Sequence, residues 1–273
     1  MLKLFKAGNS ICTQKVLITL AEKQLAYDTQ DVDLFNNEQY SPAYLAINPK
    51  GVVPALVHDG RIVTESTLIC EYLDDVFPQP RRLIPDDAYL RTKMRKWSKA
   101  VDEGLFAATR ELSFSAMFRQ RMRGMSEAQR EGRFRNVGDP DKRARFMSTY
   151  ENGVESSYVF QAIAAYEVAF RDMEKALAEA GSGWLVGKDM TLADINMMPF
   201  VARLAYLDLF GIFVEKRPLC REWWVRAQQV PTFVAAVRAP LTGGEVDAMA
   251  ISGGKIRQRV AERHADYVAG RLD

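Results

Sequence analysis

GVVPALVHDGRIVTES, residues 51–66, puts a proline ahead of one short apolar run, Asp-Gly between that run and a second, and Glu-Ser directly after the second. Asp-Gly between ALV and RIV predicts a hairpin, because a two-residue turn that matches the strand twist needs positive φ. Pro54 stands before the first of these strands, so the ladder loses no donor. Glu65 and Ser66 then open an apolar pattern at helical spacing, TLICEYLDDVF, with Leu68, Ile69, Tyr72, Leu73 and Val76 on one face. The stretch therefore predicts strand, turn, strand and helix start in succession.

Upstream, LKLFK (2–6) alternates apolar and basic residues, the period of a half-buried strand. AGNS forms a turn and cap before ICTQKVLITLAEKQ, where Val16, Ile18, Thr19 and Leu20 alternate with polar Lys15, Glu22 and Lys23 as in an amphipathic helix. AYDTQDVDL predicts a second strand, and NNEQYSPAYLAINPKG a short helix ended by Asn-Pro and Gly. The order β-α-β-α-β-β-α is the thioredoxin-like arrangement, a small sheet with parallel and antiparallel pairs. PQPRRLIPDD, with three prolines, closes it as a linker.

Beyond the linker the pattern is helical. Leu90, Met94, Trp97, Val101 and Leu105 recur every three or four residues, as do Val159, Ile163, Tyr166, Phe170, Met173 and Leu177. Thr191 precedes Asp194 by three residues, a variant of the capping box, so Asp194 reads as structural. The expected architecture is an α/β thioredoxin-like domain, residues 1–80, followed by an all-α helical-bundle domain, 88–273. Within the second domain lie a basic insertion at about 110–150 and a C-terminal tail at about 241–273. The tail has two Gly-Gly pairs and a weakly periodic, charged helix that either docks or stays mobile.

Composition narrows the function classes. With 273 residues, 48% hydrophobic and 26% charged, the chain has apolar surface for two soluble domains. No apolar run approaches the roughly 18 residues of a membrane span, and MLKLFKAGNS lacks the charged and long apolar regions of a secretory leader. Cys12, Cys70 and Cys220 make no disulfide framework, which suits a reducing, cytoplasmic compartment. Two histidines leave little for a metal cage. A net charge of +2 argues against nucleic acid, although Arg110 to Arg145 holds ten Lys or Arg against five Asp or Glu. That stretch reads either as a solvated helical arm or mobile loop, or as a site for an anionic ligand.

Five motifs in this order, the sheet module, Ile-Asn-Pro, Val-Pro-Ala-Leu, Glu-Ser at a helix start and Thr-Leu-Ala-Asp-Ile, resemble the glutathione transferase family over residues 1 to about 240. LVHDGRIVTESTLICEYLDDVFP followed by MRKWSKAVDE is most similar to the bacterial glutathione-dependent β-etherases, which cleave β-aryl ethers in lignin-derived aromatics. The resemblance implies glutathione as co-substrate, a hydrophobic or aromatic electrophile, a homodimer, and no metal. It leaves three functional readings: ether cleavage, general conjugation of xenobiotic electrophiles, and a non-catalytic carrier of hydrophobic ligands.

Glutathione carries two carboxylates, one amine, two amides and a thiol, so its site needs strand-like pairing, anion holders and a thiolate stabiliser. The resemblance assigns pairing with the cysteinyl part to Val53, turned outward by a cis Pro54. It gives the γ-glutamyl carboxylate to Ser66 and the ammonium to Glu65, at a helix N-terminus where free N–H groups attract anions. Gln39 and Lys50 are either holders of the glycine carboxylate or merely solvated side chains. Val52 departs from the family, which often has a polar residue there. For thiol activation, Ser10 with Asn9 beside it matches the serine-type pattern, Cys12 the bacterial beta class, and Thr13 a β-etherase serine. An active Cys12 would favour disulfide exchange over conjugation. Asp102 reads either as the acidic residue that in several classes of the family reaches a neighbouring subunit's glutathione, or as a surface carboxylate. Trp97, Phe106, Phe114, Phe118 and Tyr206 either line an acceptor pocket or pack in the core.

Overall fold

A computed structural model of the chain describes residues 1–271. The first part runs β1 (Leu2–Lys6), α1 (Ile11–Glu22), β2 (Asp28–Asp31), α2 (Pro42–Leu45), β3 (Ala55–His58), β4 (Arg61–Thr64) and α3 (Ser66–Val76), the order expected from sequence. The sheet order is β2-β1-β3-β4. β1 and β2 pair in parallel, which requires the α1 crossover, while β3 pairs antiparallel with both β1 and β4. At the hairpin turn Asp59 and Gly60 have φ of 48° and 79°, the pair of positive values that the Asp-Gly signal demands. β2 is exposed throughout, a short polar strand that blunts the sheet edge. The fold is an α/β thioredoxin-like module with a helical C-terminal domain.

Two features of the helices differ from the sequence reading. Lys15 and Lys23 do not face solvent, for both are buried. α1 packs against α3 on one side and against residues 231–238 on another, so almost no face of it remains for water. Conversely Leu68 and Val76 of α3 are exposed, while Ile69, Cys70 and Leu73 supply its buried face. Sequence spacing identified the helix but not how narrow its covered stripe is.

The proline-rich linker is clipped to the sheet module. The buried Asp74 carboxylate accepts from the N–H groups of Leu83 and Ile84 at 2.7 and 3.1 Å and pairs with buried Lys23. Lys23 in turn donates to the Arg81 carbonyl at 2.6 Å.

The remaining helices are α4 (Ala88–Ala100), α5 (Phe106–Ser113), α6 (Arg119–Arg123), α7 (Glu127–Asn136), α8 (Pro140–Asn152), α9 (Ser157–Ala180), α10 (Leu192–Tyr206), α11 (Phe210–Val214), α12 (Pro218–Ala227), α13 (Pro231–Phe233) and α14 (Gly243–Val268). By packing, the chain forms two compact units. One comprises Met1–Lys99, Leu177–Pro199 and Glu222–Leu241; the other comprises Ala100–Ala176, Phe200–Arg221 and the chain from Thr242 onward. The first unit thus includes helical segments that lie after residue 88 in sequence. Asp194 belongs to it and is fully buried, accepting from the backbone of Thr191 and Leu185 and from Trp223 Nε1 at 2.9–3.0 Å. Its part is the capping role expected from sequence.

In the second unit the basic stretch is helical. α7 buries none of its residues, and the stretch is held by edge-to-face contacts of Phe114 and Phe134 with Phe146 and of Phe134 with Tyr150. The C-terminal region is one 26-residue helix that runs through both Gly-Gly pairs. Gly253 lies so close to the Leu207 carbonyl that a Cβ would sit 1.8 Å from its oxygen, which explains glycine inside a helix.

Candidate functional site

Strand register brings the site together. Phe5 pairs with Ala55, and Ala55 with Thr64, so the end of β1, the start of β3 and the end of β4 share one edge of the sheet. Three short segments leave from that edge: residues 7–10 leading to α1, residues 51–54 preceding β3, and Glu65–Ser66 opening α3. Beneath them Phe5, Val32, Tyr44, Val53 and Ala55 form a buried apolar cluster. This is the carboxyl end of the parallel pair β1 and β2, where open α/β sheets bind ligands.

Ser10 is the N-cap of α1, and its Oγ accepts from the Thr13 N–H at 3.3 Å. A hydroxyl that accepts in this way still has its own proton to donate. Cys12 is partly exposed in the first turn of α1; Thr13 is fully buried, 3.5 Å from the Ala7 N–H that it accepts. Asn9 is exposed beside Ser10.

The Val53–Pro54 peptide is cis, and Val53 is buried. Among the described residues neither the N–H nor the C=O of Val53 carries a hydrogen bond. The loop is fixed instead through its neighbour: the Val52 carbonyl accepts from the Tyr44 hydroxyl at 2.7 Å and from Asn48 Nδ2 at 2.8 Å. Burial pushes the Tyr44 phenol up to about 12, so it stays a donor. Sequence reasoning passed over Tyr44 and Asn48 as site residues, although Asn48 stands in the Ile-Asn-Pro motif. The Val52 side chain itself is exposed.

Glu65 occupies the N-cap position of α3 with φ of 68° and makes no capping bond with its side chain. A non-glycine residue there is uncommon, and such backbone clusters at binding sites. Its carboxylate pairs with Lys50 Nζ at 2.7 Å on the exposed side. Ser66 is the first residue of α3 and is buried. Gln39, also buried, leaves its Oε1 without a hydrogen-bond partner. Asp102 belongs to the second unit, exposed on a π turn at Val101–Leu105. Among the aromatics, Phe114 is buried against Phe146, Trp97 is buried in the first unit, Phe106 and Tyr206 are half-buried, and Phe118 is exposed.

The chain belongs to the glutathione S-transferase family. Residues 9–76 match the model of the family's N-terminal domain and residues 144–231 that of its C-terminal domain. More particularly, it is similar to the protein LigF of Sphingobium sp., 35% identical over 84% of this chain and 90% of that one. The crystal structure of the Sphingobium β-etherase LigF superposes with a TM-score of 0.76 at 32% identity, covering 87% of this chain and 98% of that one. Glutathione S-transferase hmp2 of Hypomyces subiculosus is 28% identical over 84% of this chain and 95% of that one. The protein is a glutathione transferase that uses glutathione as co-substrate. No helix among the described residues is long and apolar enough to cross a membrane.

Proposed function

We propose that the protein cleaves a β-aryl ether of lignin-derived aromatics. The glutathione thiolate attacks the ether-bearing carbon, a C–S bond forms, the C–O bond breaks, and the departing phenolate takes up the proton that the thiol gave up. The observation that carries the glutathione half is the convergence on one sheet edge of a hydroxyl donor, an unpaired backbone pair and a helix N-terminus. The similarity to a protein described as a β-etherase carries the leaving group.

In this reading Ser10 donates its remaining proton to the thiolate, with Asn9 adjacent, and Val53 pairs with the cysteinyl backbone. Cys12 and Thr13 share that helix start, and the burial of Thr13 favours a supporting role for it. Ser66, at the N-terminus of α3, holds the γ-glutamyl carboxylate. The exposed Lys50–Glu65 pair offers one cation and one anion, the complement of the glycine carboxylate and the γ-glutamyl ammonium. An exposed pair contributes only about 0–1 kcal/mol, so exchanging each partner for a ligand group costs little. Gln39 assists at the glycine end, and Asp102 acts on a neighbouring subunit's glutathione in a cytoplasmic homodimer.

Incubation with glutathione and a panel of β-aryl ethers, followed by mass spectrometry, tests the proposal. Phenol release with a glutathione adduct on the other fragment is the expected result. Adducts only with generic electrophiles would replace ether cleavage by general conjugation, and binding without turnover would leave a carrier.

A further inference from the structure

Within the second unit, residues of α11, α12 and α14 line a recess of about 480 Å³, among them Gly211, Ile212, Glu215, Arg221, Arg257 and His264. Small-molecule sites typically measure roughly 300–1,000 Å³. None of these residues belongs to the sheet edge that gathers Ser10, Val53 and Ser66.

The charges of the recess are held in place. Arg221 Nη1 donates to the carbonyls of Val214 and Glu215 at 2.7 and 2.6 Å, at the C-terminal end of α11, where orphan carbonyls favour a cation. Arg257 donates to the Asp208 carbonyl and lies 3.3 Å from the Asp208 carboxylate, in an exposed pair. His264 Nε2 is 2.7 Å from Glu167, whose charge Arg217 offsets from the other side, and the His264 ring stands edge-on to Phe213. Among the described residues neither Arg221 nor Glu215 takes part in an ion pair.

Gly211 keeps the recess open. It is the second residue of α11 and its φ is not positive, so the backbone does not call for glycine, which weakens a helix. A Cβ there would stand 3.4 Å from Arg257 Nη2, so a longer side chain would press on the guanidinium and take up part of the recess. A local rule broken in this way, with no backbone reason, is expected at functional sites.

The recess thus presents two guanidiniums and one carboxylate. Glutathione carries two carboxylates and one ammonium, the reverse set, and a thioether of glutathione keeps all three. Groups already fixed lose little freedom when a ligand binds. The exposed Arg257–Asp208 pair contributes little, so exchanging its carboxylate for one of the ligand's costs little. We propose that the recess is a second, non-catalytic site for the glutathione tripeptide, free or as the S-aryl thioether that the reaction produces. Arg221 and Arg257 hold the two carboxylates, Glu215 holds the ammonium, and Ile212 offers apolar surface to an S-aryl group. The proposal needs only that the protein uses glutathione, whichever electrophile it takes.

The test titrates glutathione and S-benzylglutathione into the full chain by calorimetry, for the wild type, Gly211→Leu and Glu215→Gln, with thermal melts and initial rates alongside. The wild type should take up two equivalents per chain. Gly211→Leu should take up one, with kcat and the KM for glutathione unchanged. Glu215→Gln should weaken the second equivalent by about twofold to fivefold and leave the first as it is. Glu215 is exposed, so this variant carries the test if Gly211→Leu does not fold. A second equivalent of both ligands assigns the recess to the tripeptide itself; a second equivalent of S-benzylglutathione alone assigns it to the product. A single equivalent of each ligand in the wild type would overturn the proposal, and so would a second equivalent that both variants leave unchanged. Phenol release from β-aryl ethers is a separate readout, so a failure of ether cleavage leaves this result standing.

Discussion

Charge is used in opposite ways in the sheet-bearing unit and in the basic stretch between Arg110 and Arg145. In the first, Lys15, Lys23, Asp74 and Asp194 are buried, each with bonding partners that belong to a particular turn or helix start. In the second, three arginines donate to backbone carbonyls: Arg119 to Tyr150 and Glu151, Arg130 to Met125, Arg143 to Val137. Glu111 in the same stretch is a buried carboxylate bonded to Arg110 and Thr149. A carbonyl satisfies a guanidinium geometrically without cancelling its charge, so the stretch stays basic and its contacts stay interchangeable. A buried charge has no such freedom, because losing its partner leaves a charge out of water.

The sharpest way to break the contrast is Asp74→Ala. It strands Lys23 in the interior and unclips the linker, and should destabilise the protein by about 3–5 kcal/mol in urea unfolding. A loss near that of an exposed pair would erase the distinction. Ser10→Ala comes next. If Ser10 donates to the reacting sulfur as proposed, its loss should lower kcat by roughly 10²–10³ while glutathione affinity holds. If Cys12→Ser instead abolishes turnover and Ser10→Ala does not, the activating group is the thiol.

Gly253→Ala applies the same logic to packing in the helical unit. Its Cβ would meet the Leu207 backbone, and overpacking of this kind should cost about 1–3 kcal/mol, visible as a lower melting temperature. Acid titration addresses Glu167, which Arg217 and His264 bond. Burial raises this carboxyl, but those hydrogen bonds and charges outweigh it and hold it below its usual value. Its contribution is therefore fully present above the unfolded value of about 4.3 and lost as pH falls through the folded value. Unfolding followed downward from pH 5 should show that loss, and Glu167→Gln should flatten it. The smallest effect is expected for Arg135→Ala in the basic stretch, within about 0.5 kcal/mol and without change in turnover.

The parts of the site legible in sequence were those governed by local rules. Asp-Gly at 59–60 announced the hairpin, Ser10 the start of α1, and Glu65–Ser66 the start of α3, since turns and caps need particular residues within four positions. The roles of Tyr44 and Asn48 were not legible, because they act through the Val52 carbonyl and nothing in their own spacing marks a loop they hold. Lys15 was misread for a related reason. Helical periodicity counts polar residues as outward, and it cannot register that α1 is covered on more than one side.

By itself the sequence determined the order of elements, the hairpin, the helix caps and the family, all of which depend on residues close together in the chain. Tertiary structure alone decided that three loops meet at one sheet edge, that Lys50 faces Glu65, and that Lys15 and Lys23 are interior. Those facts depend on strand register and on which helix faces are covered, and both are set by groups tens of residues apart competing for the same buried space.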